Sequence, residues 1–287
     1  MNSDVRRASE SAQAGGARAC ARRLEVLCLG VHDPLSLNTG IAEEVPVLPH
    51  WLIYRALGGL YDRMKSFEDP DDVLMREIGR IRAVDASDVV ELGCGTGNLT
   101  RKLARTARSV HAYDSSGHML RVARKLYART GLCNCTFAVA DHRSIPLENA
   151  VADVVVAAWT ILSLVAATWE HDWRVELDRC VAETRRLLRS GGAIVVVETA
   201  NLLGELPDGE IWHPKRRDFL TYLEDHHGFQ KTCFRRVWRY QSVRQAARLT
   251  SLFHGKWVAQ TIRRSKVPSV TESVGIWSWS CPSTDWM

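Results

Sequence analysis

The sequence predicts an α/β fold: a doubly wound, mostly parallel seven-stranded sheet with helices on both faces and an antiparallel C-terminal edge. Three observations carry that reading. Short β-rich runs alternate with helical stretches of ten or more residues between positions 88 and 197. The first of these runs ends in a glycine-rich turn that leads straight into a helix. After Gly228 the rhythm changes to a β-like run, a helix and a final β-like run, which suits an antiparallel edge.

Residues 1–50 read as a leader. Positions 1–23 are rich in Ala, Ser, Gly and Arg with little apolar content, which predicts disorder. An Arg- and Ser-rich start also resembles a mitochondrial transit segment, and Asp4 and Glu10 count against that. Positions 24–50 carry apolar runs broken by Pro34, Pro46 and Pro49 and predict no regular element. A single domain is expected over 51–287, with an insertion near 200–228.

Helical spacing runs through Tyr54, Leu57 and Tyr61, and the turn Asp69-Pro70-Asp71 leads into a helix through Ile81. Asp88 to Leu92 is a compact strand, and Leu99, Leu103 and Ala107 repeat on one face of the helix that follows. Ser109 to Tyr113 reads as the second strand. Met119, Val122, Ala123 and Leu126 mark the inner face of a helix over 117–129, closed by Gly131. Thr136 to Ala140 is the third strand, and Asp153 to Ala158 is Val-rich, as a strand buried on both faces should be. A long helix runs from Trp173 to Leu188 and stops at Ser190-Gly191-Gly192, before the fifth strand, Ala193 to Val197. The tail holds a helix ending near Gly228, a β-like run to Tyr240, a helix from Ser242 and a last β-like run over 274–280.

Composition is that of a globular chain, with 46% hydrophobic and 25% charged residues in 287. No stretch approaches the roughly 20 apolar residues a membrane span needs, so no membrane partner is expected. The eight cysteines lack paired metal-site spacing, and with no secretory signal the expected setting is cytoplasmic, with reduced thiols and no metal. The net charge of +5 says little, but its distribution does: Gln230 to Lys266 holds ten Lys and Arg and no Asp or Glu.

Chemistry concentrates in Val89 to Thr100, V-V-E-L-G-C-G-T-G-N-L-T. Gly93, Gly95 and Gly97 let the backbone turn tightly and approach a ligand closely, ahead of the free N–H groups of a helix start. The spacing is G-x-G-x-G, not the dinucleotide G-x-G-x-x-G, which points to a nucleotide of some kind and not to NAD in particular. Asp114 ends the second strand, where a carboxylate can accept hydrogen bonds from ribose hydroxyls. Asp141 and His142 close the third.

These residues resemble the class I S-adenosylmethionine-dependent methyltransferases, over about Tyr54 to Leu188 for the motifs and to Trp279 for the sheet plan. The resemblance implies S-adenosylmethionine as cofactor, with Glu91, Gly93, Gly95 and Gly97 around its methionine end, Asp114 at the ribose, Asp141 with His142 at the adenine, and Ser115 also among the cofactor-binding residues. Leu187 to Gly192 looks like the family's turn before the fifth strand, with Ser190 in place of proline. A narrower likeness to small-molecule methyltransferases of the ubiquinone/menaquinone-biosynthesis type rests on Tyr61-Asp62, whose Tyr would help cover the cofactor, and on Met119, which would lie against the adenine region.

The end of the fourth strand, Ala157-Ala158-Trp159-Thr160, would face the methyl acceptor. It lacks the [D/N]-P-P-[Y/F] of enzymes that methylate base amino groups. Trp159 is expected to wall the acceptor pocket and His213 to border it. Trp169, Trp173, Trp212, Trp277 and Trp279 could add aromatic walls, with core packing as the competing role. His226 and His227 read as charges favourable at a helix C-terminus before they read as bases. The expected activity is in-line transfer of a methyl group to a small acceptor, aromatic or anionic, through O, N or S. The alternative is an RNA or protein methyltransferase that uses the basic 230–266 segment.

Overall fold

Asp88–Leu92 (β1) is a β-branched run followed directly by glycines, and it becomes an interior strand, paired in parallel along both edges and buried along most of its length. In this computed structural model the described residues are 48, 50–167, 172–203 and 214–282. The leader up to residue 47 and His213, Trp169 and Trp212 lie outside them.

Three helices precede β1: α1 (His50–Ala56), α2 (Gly58–Lys65) and α3 (Val73–Ile81). Then follow α4 (Asn98–Leu103), β2 (Ser109–Asp114), α5 (Gly117–Tyr127), β3 (Cys135–Val139), β4 (Ala152–Ala158), α6 (Ile161–Ala167) and α7 (Trp173–Leu187). The chain closes with β5 (Leu188–Leu202), α8 (Pro214–His227), β6 (Gln230–Arg239), α9 (Val243–Phe253), α10 (Lys256–Ser265) and β7 (Ser269–Ser280).

The strands form one seven-stranded sheet in the order β3-β2-β1-β4-β5-β7-β6. Six run in the same direction, and β7 inserts antiparallel between β5 and β6. The chain builds β1, β2 and β3 outward on one side and then crosses to β4 on the other. Strand order therefore reverses between β1 and β4, and the loops leaving their carboxyl ends diverge to open a crevice.

Several expectations shift at element ends. The helix after the glycine turn stops at Leu103, and Ala107 packs from the following turn. The long helix ends at Leu187, and Ser190-Gly191-Gly192 lies inside β5, where the register against β4 slips between Ala152 and Val154. The single helix read after Ser242 is two, broken at Gly255 with φ +87°. The short α6 went unread because Ile161 to Ala167 shows no polar face.

Two apolar cores result. One lies against the sheet centre and joins Val89, Val110, Val154 and Val195 to Ile78 and Leu103. The other gathers α9 and α10 around Trp238, with Ile53 and Met64 from the first two helices. The second core brings α2 and β6, far apart in sequence, to the mouth of the crevice.

Candidate active site

The turn out of β1 is shaped by two glycines for two different reasons. Gly93 has φ +67°, and a Cβ there would sit 1.9 Å from Thr160 Oγ1 at the end of β4, so this position is closed to any side chain by the neighbouring strand. Gly95 has φ +55°, and a Cβ there would find only Met119 Cε, at 3.9 Å, with open space beyond. Only the second leaves room that a ligand can use. Gly97 precedes α4, and a Cβ on it would press Ala123 at 3.3 Å.

Asp114 locks this turn. Its Oδ2 accepts the Gly95 N–H at 2.8 Å and its Oδ1 the Ser116 N–H at 2.7 Å. Each oxygen keeps acceptor capacity for a further donor. Burial raises this carboxyl above its ordinary range, against the pull of the two backbone bonds. Ser116 caps α5 by accepting the Met119 N–H and donates its hydroxyl to Tyr54 O at 2.6 Å. Asp62 fastens α2 to the same turn, accepting from Thr96 Oγ1 at 2.9 Å and Arg101 Nη2 at 3.0 Å. Glu91, below the turn, accepts the Thr100 hydroxyl at 2.5 Å, and burial pushes it up to about 8.

A cavity of about 250 Å³ opens above the turn. Tyr61, Glu91, Gly93, Gly95, Asp114, Ser115 and Trp159, all expected at the site, line it. Gly97 and Met119 do not; Met119 is fully buried beneath Gly95. Asp141 and His142 are also absent from the wall. Arg143 takes Asp141 through its main-chain N–H and its guanidinium and holds the carboxyl down to about 2. His142 stands behind Thr160, its Nε2 3.5 Å from Oγ1, and burial lowers it to about 4.

Trp159 occupies the β4 end of the cavity in the left-handed region, φ +53°, held by its N–H on Val197 O at 2.8 Å and its indole N–H on Thr199 Oγ1 at 2.9 Å. Lys65 Nζ lies 4.7 Å from its ring centroid and the Arg236 guanidinium 4.3 Å. Both cations also bond one oxygen of Glu68, at 2.6 and 2.9 Å. Arg236 Nε and the Trp238 indole N–H then meet on Glu272 Oε2 at 2.6 and 2.7 Å.

Sequence reasoning missed Lys65, Glu68 and this role of Arg236. Glu68 and Arg236 are 168 residues apart, and no local pattern links them. The one available signal was that Arg236 shares inward strand parity with Trp238. Of the other candidates, Trp277 and Trp173 are core. His227 bonds Asp178 of α7 at 2.9 Å and His226 stacks on Tyr222, away from the cavity.

A crevice at the strand-order reversal, a carboxylate at the end of β2 and an open glycine turn are an arrangement that can hold a nucleotide. The methyltransferase-domain family profile matches residues 89–192, which run from β1 into the first part of β5. The chain carries a class I S-adenosylmethionine-dependent methyltransferase domain. This methyltransferase is 26% identical over 222 residues to an uncharacterized methyltransferase of Bacillus cytotoxicus, covering 72% of this chain and 97% of that one. It is 29% identical over 137 residues to the ubiquinone/menaquinone biosynthesis C-methyltransferase of Ralstonia pickettii, covering 47% of this chain and 48% of that one. Among solved structures, an S-adenosylmethionine-dependent methyltransferase from Aquifex aeolicus is 15% identical, with a TM-score of 0.47 over 76% of this chain and 96% of that one.

The residues present fit S-adenosylmethionine. Gly95 leaves the space that a Cβ would fill, and Asp114 offers acceptor capacity beside it. Among the described residues no helix is long and apolar enough to cross a membrane.

Proposed function

We propose that the methyltransferase acts on a small-molecule acceptor held in the cavity between Asp114 and Trp159. The observation that carries this reading is the cavity bounded by α2, the β1 turn and the β4 end, lined by half-buried aromatic and buried charged side chains. Such a site suits a small molecule better than a polymer. In this reading Asp114 accepts from the ribose hydroxyls, the Gly93–Gly97 turn carries the methionine portion, and Tyr61, Ser115 and Trp159 complete the walls. Met119 supports Gly95 from below, and Asp141 and His142 bound the adenine side from outside the cavity wall.

S-adenosylmethionine supplies a methyl group already activated on a sulfonium. The chain's own work is to orient, to exclude water and to hold the acceptor atom in line. Trp159 serves the second task, its ring held beside the two cations Lys65 and Arg236. Asp62 serves the first by tying the covering helix α2 to the glycine turn.

The relatives' names include carbon and oxygen acceptors, a ubiquinone/menaquinone C-methyltransferase and a malonyl-[acyl-carrier protein] O-methyltransferase of Pectobacterium atrosepticum, and so leave the acceptor atom open. The test is incubation with methyl-labelled donor and a fractionated cell extract. Label in the low-molecular-weight fraction is expected. Label confined to RNA or protein would replace this reading with the polymer one.

A further inference from the structure

The cavity is chemically two-ended. On the β1 and β2 side it presents a hydrogen-bond acceptor, Asp114. On the α2 and β6 side it presents donors. Lys65 Nζ has three hydrogens and spends one on Glu68. Arg236 spends Nε on Glu272 and one Nη2 hydrogen on Glu68, and its Nη1 has no partner among the described residues. Arg236 is only 4% exposed and still lines the cavity.

The carboxylates in the wall do not cancel these donors. Glu68 is committed to both cations through one oxygen. Burial alone would raise its carboxyl, and Lys65 and Arg236 outweigh that and hold it below the ordinary range. Asp69 is turned inward to the start of α3, its two oxygens accepting the Val73 and Leu74 N–H groups at 2.7 and 3.0 Å. Glu91 is occupied by Thr100. Spare N–H groups therefore face the cavity from two cations fixed on a single oxygen, with the Trp159 ring beside both. A planar anion with two oxygens matches that arrangement.

We propose that Lys65 and Arg236 form a carboxylate-binding site at the α2–β6 wall of the cavity. This rests on the reading of the cavity as the donor and acceptor site. The carboxylate has two possible sources, the amino-acid end of the methyl donor or an anionic acceptor, and the site binds it by the same chemistry in either case. The cations bear on the bound molecule only as charge and hydrogen-bond donors, so no proton or bond changes hands there.

Calorimetry on the full chain separates the sources. S-adenosylhomocysteine is titrated into wild type first; no binding there would overturn the underlying site reading itself. Lys65→Met then removes one cation while Glu68 keeps Arg236, and Arg236→Lys keeps the charge while losing the fork. 5′-Methylthioadenosine, which lacks the amino-acid end, is the neutral comparison. If the carboxylate is the donor's, Lys65→Met weakens S-adenosylhomocysteine by about tenfold and leaves 5′-methylthioadenosine within about twofold. If it is the acceptor's, S-adenosylhomocysteine binding is unchanged. In that case the loaded wild-type protein prefers benzoate to benzamide by about tenfold, and both variants lose the preference. Unaltered S-adenosylhomocysteine affinity together with no preference for benzoate, or with no binding of either probe, overturns the proposal.

Discussion

At the scale of single residues, the glycine turn separates packing from binding. Gly93→Ala drives a methyl group into Thr160 and is expected to lower the melting temperature sharply. Gly95→Val finds open space but is strained at φ +55°, so it should melt somewhat lower while keeping a circular-dichroism spectrum near wild type and losing S-adenosylhomocysteine binding. A folded Gly95→Val protein that binds normally would remove the turn from the site. Asp114→Ala takes an acceptor from the proposed ribose position and should cost about 1.5–3 kcal/mol of cofactor affinity, read by calorimetry. Glu91 predicts a pH dependence. Its carboxyl titrates at 4.5 in the unfolded chain and about 8 in the folded one, so the folded state binds the extra proton between those values. Stability contributed by that proton is present below 4.5 and is lost as pH rises toward 8. Glu91→Gln, neutral throughout, should melt near wild type at low pH and increasingly above it as pH climbs through that window. A constant offset between the two proteins would contradict the shift.

At the scale of elements, β6 contributes more than an edge. Its inward residues Arg236 and Trp238 carry the ion network that reaches α2 through Glu68 and β7 through Glu272. Removing one member of a buried ion pair leaves the other uncompensated, so Arg236→Met should destabilise the fold by about 3–5 kcal/mol in urea titration. Arg236→Lys should recover part of that. A loss below about 1 kcal/mol would mean that the network adds little to the joining of β6 and α2. The same element shows why part of the site was illegible in sequence. Arg236 belongs to a run of ten cations that reads as a solvated face, and only the pairing of β6 with β7 turns it inward. Its neighbour Arg239, by contrast, is exposed and pairs with Asp71.

At the scale of the whole molecule, the remaining basic charge is divided. Arg244 and Arg248 on α9 and Lys256, Arg263, Arg264 and Lys266 at α10 are exposed. They are the part of the chain that an RNA would meet. Binding through them would fall log-linearly with salt, with a slope near −0.7 per phosphate on a single strand, and only weak binding at physiological salt is expected. A slope of several units with labelled methyl groups in RNA would favour the polymer reading instead. The succession of strands up to β5, the glycine turn and the position of Asp114 were all determined by sequence, because each depends on local period, on a backbone angle or on a residue's place at a strand end; the order of those strands in the sheet was not. The antiparallel edge was legible only as a change of rhythm. The wall formed by Lys65, Glu68, Trp159 and Arg236 was decided by tertiary structure alone. Its members come from α2, the following turn, the β4 end and β6, and what unites them is burial: desolvated charges must find partners, and only the folded chain determines which lie within reach.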